Sequence, residues 1–358
     1  MITAAIVHLG TAKAPWVFSN LIRHTRVFPS IPLVFISDND KHIMKAKRLG
    51  IDTFRYVVDS DTDSYFDGSE HDRNFRTNFW RTSVERIFAL SQFHDLNPSI
   101  SLLHFESDVM LLPSFPWNQF DTLQKLAWGN TTSQLDCAAI LFSPSSSQTK
   151  WLCEQLKLRI SVDGLSTDMK ALREIRELNS KEIFLLPSST PEISNLSFSG
   201  QKKEISTAIK YSEQFEGIFD FIEMGMWLAG ENPRNLGGKV IRYKVFYDEN
   251  VISFSPDFFL FQNEELLVGG DHKTLLHNLH VHSKNRNLLS VRWDKELRSL
   301  VQSSETLSDA IRFSLTGWIG SASDIYVSVG KRPLIALFLI FKLNTLSARF
   351  RNLLSRMR

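Results

Sequence analysis

Residues 3–58 decide the fold of this chain, and they read TAAIVHLGTAKAPWVFSNLIRHTRVFPSIPLVFISDNDKHIMKAKRLGIDTFRYVV. Short apolar runs alternate with longer amphipathic segments, one with a proline near its start and another closed by a glycine. The pattern predicts three strands, over Thr3–Leu9, Pro32–Ser37 and Thr53–Val58. Two helices, over Pro15–Val27 and Lys41–Leu49, connect them. Such alternation predicts an α/β domain with a mostly parallel sheet flanked by crossover helices.

Ligands of such sheets bind at the carboxyl ends of the strands. His8 and Asp38 stand at the ends of the first two predicted strands and are candidate ligand-binding residues. The sequence has neither the G-x-G-x-x-G pattern nor a P-loop, so dinucleotide and ATP sites of those kinds are unsupported.

A further apolar run ends in two acidic residues, in the stretch Ile100-Ser-Leu-Leu-His-Phe-Glu106-Ser-Asp108. Alternation along an extended chain points Glu106 and Asp108 to the same side, and hard cations such as Mg²⁺ or Mn²⁺ take oxygen ligands. The alternative is a solvated surface loop, since acidic side chains are mostly exposed. The apolar residues on both sides of the triplet favour the metal site.

Arginines precede this triplet at the start of a helix that is predicted to reach about Phe93. Arg73 and Arg76 either contact a diphosphate or are plain solvated charges. Further along, the pattern predicts strands over Leu126–Asn130 and Asp136–Phe142 and helices over Lys150–Ile160 and Asp168–Leu178, with Thr167 as N-cap. Asp168 therefore either stabilises the N-terminus of this helix through the helix dipole or takes part in catalysis.

Two later segments carry polar groups in rigid settings. The pattern of residues 217–235 predicts a short helix in which Gly225 permits close backbone approach. A turn follows that projects Arg234 and Asn235, which are candidate ligand-binding residues. In His280-Val-His282-Ser-Lys284, the spacing directs both imidazoles to one side of a strand. They are either metal ligands or two ordinary histidines at a sheet edge, and Lys284 offers a point charge for phosphate.

Composition narrows the function classes. The chain has 358 residues, of which 43% are hydrophobic and 22% charged, as is ordinary for a globular protein. Two cysteines are too few for a disulfide framework and fit a reducing compartment, and the first residues lack the basic segment of a secretory signal. Seven basic residues and no acidic one follow Asp324, so the body is mildly acidic and is not expected to bind nucleic acid.

Three of these segments, in this order, resemble the GT-A type nucleotide-diphospho-sugar transferases, especially bacterial enzymes of surface-polysaccharide assembly. They are Phe105–Met110, the stretch from Asp220 to Asn235, and Leu279–Lys284. The resemblance implies a GT-A (Rossmann-like) domain over residues 1–290. It also implies that Glu106 and Asp108 hold Mn²⁺ or Mg²⁺ on the donor diphosphate, although glutamate in the first position departs from the family pattern.

The resemblance assigns further roles in sugar transfer. One histidine of the pair, preferably His282, would complete the metal shell, and Lys284 would meet a phosphate oxygen. Asp168, Asp220 and Glu223 are candidates for the base or for positioning sugar hydroxyls. The donor would be a UDP- or GDP-sugar and the acceptor a saccharide or lipid-linked sugar, with retention or inversion left open. Alternatives are a metal-dependent phosphohydrolase that uses the His-x-His pair and a non-catalytic sugar-nucleotide-binding module.

The end of the chain predicts a separate element. We expect a helical or irregular extension over residues 291–330 and a basic amphipathic helical tail over residues 331–358. An apolar stripe in the tail is bordered on both sides by basic residues, which is typical of a helix at a membrane interface. The alternative is a helix docked on the protein's own core. The first interpretation predicts a cytoplasmic protein peripherally associated with the inner face of the membrane.

Overall fold

The computed structural model describes residues 1–12, 14–58, 62–66, 78–132, 135–164, 167–188, 213–229, 238–242, 245–248, 258–269, 272–282, 284–306, 311–314 and 326–327. The strands are β1 (Ile2–Val7), β2 (Leu33–Ser37), β3 (Asp52–Arg55), β4 (Ser101–Phe105), β5 (Val109–Leu111), β6 (Leu126–Thr132), β7 (Leu135–Ser143), β8 (Ile183–Leu185), β9 (Gly217–Ile218), β10 (Gly238–Arg242), β11 (Val245–Asp248), β12 (Phe259–Gln262), β13 (Glu265–Val268), β14 (Thr274–Leu276), β15 (Asn278–His280), β16 (Ile311–Ser314) and β17 (Tyr326–Val327). The helices are α1 (Pro15–Val27), α2 (Asp40–Arg48), α3 (Phe79–Leu96), α4 (Trp117–Asp121), α5 (Ser146–Ser161), α6 (Asp168–Leu178), α7 (Glu223–Ala229) and α8 (Trp293–Thr306), with a 3-10 helix over Thr62–Phe66.

A seven-stranded sheet in the order β3-β2-β1-β4-β7-β6-β8 forms the centre of the molecule. Strand β7 pairs antiparallel with both of its neighbours, and the other four pairings are parallel. The predicted α/β class with a mostly parallel sheet is therefore confirmed. Helix α1 has the predicted bounds, and the side chain of Thr167 caps α6 by accepting a hydrogen bond from the Lys170 N–H at 3.2 Å.

Apolar side chains cover both faces of this sheet. Along β1, Ala4 and Ile6 belong to the cluster under α1, whereas Ala5 and Val7 belong to the cluster under α3 and α5. Successive side chains of a strand point to opposite faces, so a continuous apolar run is buried on both sides. This burial explains why β1 and β2, which are buried throughout, are readable from sequence.

A smaller layer lies beyond the carboxyl end of β4. The chain leaves β4 through residues 106–108 and enters β5, which pairs antiparallel with β15. A third apolar cluster, which includes Met110 of β5 and Leu279 of β15, joins this two-stranded sheet to α8 and to the sheet β12-β13-β14-β9. The acid-x-acid triplet therefore connects the central sheet to the smaller layer.

No helix within the described ranges is long and apolar enough to cross a membrane. The predicted tail over residues 331–358 lies outside the described residues, as does most of the predicted extension after residue 306.

Candidate metal centre

Glu106, Asp108 and His280 offer three ligand atoms that all lie within 4.8 Å of one another. The two carboxylates follow β4, and His280 ends β15. In the antiparallel pairing of β15 with β5, His280 lies opposite Val109, which brings its ring beside Asp108. Two carboxylates and one imidazole fit a divalent cation, because carboxylate oxygens suit Mg²⁺ and Mn²⁺ and imidazole is a common ligand.

The His280 ring is oriented for this role. Its Nδ1 lies 2.6 Å from the carbonyl oxygen of Phe221, so Nδ1 carries the hydrogen and donates it. Nε2 then faces the carboxylates, 3.3 Å from Glu106 Oε2 and 3.7 Å from Asp108 Oδ1. Burial lowers the pKa of His280, but the hydrogen bonds and charges of the two carboxylates outweigh it and raise that pKa to about 10, so Nε2 also carries a proton, which a bound cation would replace. A backbone acceptor that fixes the tautomer is typical of metal-ligating histidines.

Two further cations meet the outer oxygens of the carboxylates. Arg86 bonds Glu106 through Nη1 and Asp168 through Nη2, the latter at 2.9 Å, while Lys284 Nζ bonds Asp108. Burial by itself raises the pKa of both carboxyl groups, but Arg86 beside Glu106 and Lys284 beside Asp108 hold both pKa values well below the usual range. Both carboxylates are therefore ionised, which is the form that binds a cation.

The side chain of Asp220 binds backbone N–H groups of this site. Its fully buried carboxylate accepts hydrogen bonds from the N–H groups of Met224 at 3.2 Å, Gly225 at 2.7 Å and His280 at 2.9 Å. The side chain of Asn278 also donates to the Asp220 carbonyl oxygen at 2.6 Å. Among the candidate catalytic residues, we therefore assign Asp220 to positioning His280, since its carboxylate is engaged by three backbone donors.

Gly225 makes the close approach that the sequence predicts. A Cβ atom at this position would overlap the carbonyl oxygen of His280, which is backbone of the neighbouring strand. Helix α7 therefore contacts β15 through a glycine, and the shared partner Asp220 fixes the distance between them.

The histidine pair differs from the expected arrangement in one respect. Strand β15 ends at His280, and the chain then turns, with the Lys284 N–H donating to the Val281 carbonyl at 2.8 Å. His282 stacks on the His280 ring with 3.9 Å between centroids, but it does not belong to the three-residue ligand group. The structure thus places His280 against the carboxylates, rather than the preferred His282, because only His280 is held by strand pairing.

The other candidates lie at the carboxyl edge or outside the described residues. Asp38 Oδ1 accepts a hydrogen bond from the Gly10 N–H at 2.8 Å, and His8 Nε2 lies 3.3 Å from the Ala12 carbonyl oxygen, so both hold the loop after β1. Glu223 begins α7. The structure does not describe Arg73, Arg76, Arg234 and Asn235, whose assignment to ligand binding stays a prediction.

Sequence reasoning missed Arg86. It lies in α3 between Val84 and Ile87, which pack in the core, and its own side chain is only 12% exposed. A charged residue inside an apolar helical stripe needs a partner. That was the available signal, but the identity of its partners, Glu106 and Asp168, depends on tertiary contacts.

Comparisons with known proteins give distant likenesses among solved structures. No family model and no curated protein matches the sequence. Among solved structures, "PaToxG Glycosyltransferase" is 11% identical with a TM-score of 0.33, covering 50% of this chain and 71% of that one. A glycosyltransferase involved in glycosylation of the major capsid of PBCV-1 is 12% identical with a TM-score of 0.30, covering 49% and 74%. The bifunctional IspDF from Campylobacter jejuni is 10% identical with a TM-score of 0.29, covering 59% and 53%. Likenesses at these scores carry no argument about activity, which rests on the site itself.

Proposed function

We propose that this chain is a metal-dependent glycosyltransferase that takes its sugar from a nucleotide-sugar donor. The observation that carries the proposal is the group formed by Glu106, Asp108 and His280 at the carboxyl end of β4. That end of a mostly parallel sheet is where ligands bind in α/β folds. Two ionised carboxylates beside Arg86 and Lys284 form a site suited to a cation and to the phosphates that accompany it.

The proposed reaction breaks the bond between the anomeric carbon and the donor's diphosphate oxygen and forms a bond to an acceptor hydroxyl oxygen. A bound Mn²⁺ or Mg²⁺, held by Glu106, Asp108 and His280, would supply charge neutralisation for the leaving diphosphate. Lys284, whose Nζ bonds Asp108, would contact a phosphate oxygen. The acceptor hydroxyl must give up its proton, and Asp168 and Glu223 are the carboxylates proposed to receive it or to orient sugar hydroxyls.

Finer parts of the proposal rest on the sequence alone. A UDP- or GDP-sugar as donor, a saccharide or lipid-linked acceptor, a place in surface-polysaccharide assembly and peripheral attachment to the cytoplasmic side of a membrane follow from the family resemblance and from the basic tail.

The phosphohydrolase alternative is disfavoured by the number of metal-binding groups. A two-metal hydrolase needs ligands for a second ion about 4 Å from the first. The described residues contain one candidate group, Glu106–Asp108–His280, and His282 stands outside it. Within the described part of the chain the His-x-His pair therefore contributes one candidate ligand.

A turnover assay with a matched control tests the proposal. The protein would be incubated with a panel of UDP-, GDP-, CMP- and dTDP-sugars, with Mn²⁺, Mg²⁺ or EDTA, and release of the nucleotide would be measured. We expect metal-dependent release with at least one donor and a loss of about 100-fold or more in Asp108→Asn, because the ion loses an anionic ligand. Asp163→Asn, in an ion pair at the end of α5, controls for loss of a carboxylate elsewhere. If no donor binds or turns over with either metal, the proposal is wrong.

A further inference from the structure

The open edge of β5 is bonded by side chains instead of by another strand. The Asp108 carbonyl accepts a hydrogen bond from the Val281 N–H at 2.8 Å, so this carbonyl faces β15. Carbonyl groups alternate in direction along an extended chain, and those of Val109 and Leu111 therefore face away from β15. The carbonyl of Ser107, in the turn before β5, points to the same side, since it shares a donor with the Val109 carbonyl. A buried carbonyl on that edge needs a donor from elsewhere.

Helix α1 provides the donors. The Asn20 side-chain amide donates to the Ser107 carbonyl at 3.2 Å and to the Val109 carbonyl at 2.8 Å. One turn further along, Arg23 Nη2 donates to the Leu111 carbonyl at 2.6 Å. Both side chains are only 1% exposed. Residues three apart lie on the same face of a helix, so α1 covers this edge with two side chains where a sheet would use a strand.

We propose that Asn20 is a positioning residue that sets the affinity of the metal site; the inference rests on the proposed function. The two carbonyls that Asn20 bonds belong to the residues on either side of Asp108. One amide therefore holds the peptide that precedes Asp108 and the peptide that follows Val109, and the peptide between them is held by the Val281 N–H. Asn20 acts through the backbone, since its recorded hydrogen bonds go to carbonyl oxygens and not to a ligand side chain.

The opposite edge of the same segment is fixed by strand pairing, because Val109 lies opposite His280. Asp108 is thus held from one side by α1 and from the other by β15. Loss of the α1 contacts would let residues 107–109 shift relative to His280. Ligand sets tolerate only small displacements, on the order of 0.5 Å, before affinity falls.

The test measures Mn²⁺ binding directly, by electron paramagnetic resonance of free Mn²⁺, together with the urea midpoint of each variant. Asn20→Leu keeps the volume of the side chain and removes its donors. We expect its Kd for Mn²⁺ to rise about 10- to 100-fold, the usual effect of removing a partner that orients metal ligands.

Thr149→Val is the matched control. Thr149 is a buried hydrogen-bonding residue whose hydroxyl bonds Ser143 and His94, and Ser143 pairs with Leu102 at the other end of β4. This variant loses a buried hydrogen-bonding group in the same domain without touching the metal loop. We expect a lower urea midpoint and the Kd of the unaltered protein.

The outcomes separate the inference from the proposed function. If the unaltered protein does not bind Mn²⁺ at all, the proposed metal site fails and the inference fails with it. If it binds, and Asn20→Leu binds equally well or loses no more affinity than Thr149→Val, the inference alone is wrong. Should Asn20→Leu not fold, Asn20→Ser decides, because its shorter hydroxyl cannot span both carbonyls and the same rise in Kd is expected.

Discussion

At the scale of single residues, Arg86 shows how one side chain organises two carboxylates. Its guanidinium has donors in a planar fork, which lets Nη1 bond Glu106 while Nη2 bonds Asp168. Asp168 is buried and the Arg86 and Glu106 side chains are only 12% and 19% exposed, so each charge depends on the others. Arg86 therefore couples the candidate metal ligand Glu106, which follows β4, to the first residue of α6.

A double-mutant cycle measures this coupling. Arg86→Met alone leaves two buried carboxylates short of a cation, and we expect it to cost about 3–5 kcal/mol of unfolding free energy. Asp168→Asn alone leaves the guanidinium with one charged partner. The double variant should be more stable than the sum of the two losses predicts, by about 0.5–3 kcal/mol in urea unfolding. Strict additivity would mean that the two residues do not interact.

A second residue-scale prediction concerns the pH dependence of stability. His24 is buried in a stack with Phe105, with 5.3 Å between ring centroids, and burial followed by the charge of Arg23 lowers its pKa to about 3. The unfolded chain binds a proton near the ordinary histidine pKa of 6.5, which the folded protein does not. Stability due to neutral His24 is therefore present above pH 6.5 and is lost as the pH falls toward 3.

Urea unfolding of the unaltered protein and of His24→Phe at pH 7, 6 and 5 checks this. The variant keeps an aromatic ring in the stack and has no proton to bind, so its stability should fall less steeply below pH 6.5, by up to about 1.4 kcal/mol per pH unit. The exposed residue His272 provides the control variant His272→Phe. Equal slopes in His24→Phe and the unaltered protein would show that His24 binds a proton in the folded state.

At the scale of elements, the contact between α7 and β15 determines the position of His280. The Asp220 carboxylate accepts hydrogen bonds from the first turn of the helix and from the backbone of the strand. Gly225 lets the helix and the strand approach so closely that a Cβ atom would not fit between them. The His280 ring is then held by the Phe221 carbonyl. Three features of the short segment 220–225 thus act on one candidate metal ligand that lies about 60 residues later in the sequence.

Gly225→Ala should disturb this contact. Its Cβ must displace the backbone of His280, so we expect a loss of about 1–3 kcal/mol in unfolding free energy together with weaker Mn²⁺ binding. Gly50→Ala is the control, because Gly50 ends α2 with φ of +73° and a Cβ there meets no atom within 4 Å. That variant should lose stability through backbone strain and keep its Mn²⁺ affinity. Unchanged Mn²⁺ binding in Gly225→Ala would show that the helix does not set the position of His280.

At the scale of the whole molecule, charge is unevenly distributed, and we predict that the basic tail binds membranes. The seven basic residues that follow Asp324 should attract anionic head groups, each contributing about 1 kcal/mol near the surface, and salt should weaken the binding. Sedimentation with anionic liposomes would compare the full chain with one that ends at Gly330. Pelleting of the full chain alone is expected. Equal pelleting of both forms, or of neither, contradicts the prediction.

The sequence by itself determined the elements of the central sheet except the short edge strand β8, and the presence of an acidic pair at the end of β4. Both follow from local patterns, since a strand buried on two faces is a continuous apolar run and a helix has its own period. Only the tertiary structure decided which groups surround that pair. Asn20 meets Val109 across 89 residues, Arg86 meets Asp168 across 82, and Lys284 meets Asp108 across 176. These contacts depend on how distant elements pack. The position of His280, rather than His282, beside the carboxylates depends on where β15 ends. Neither local propensity nor residue spacing encodes these two features.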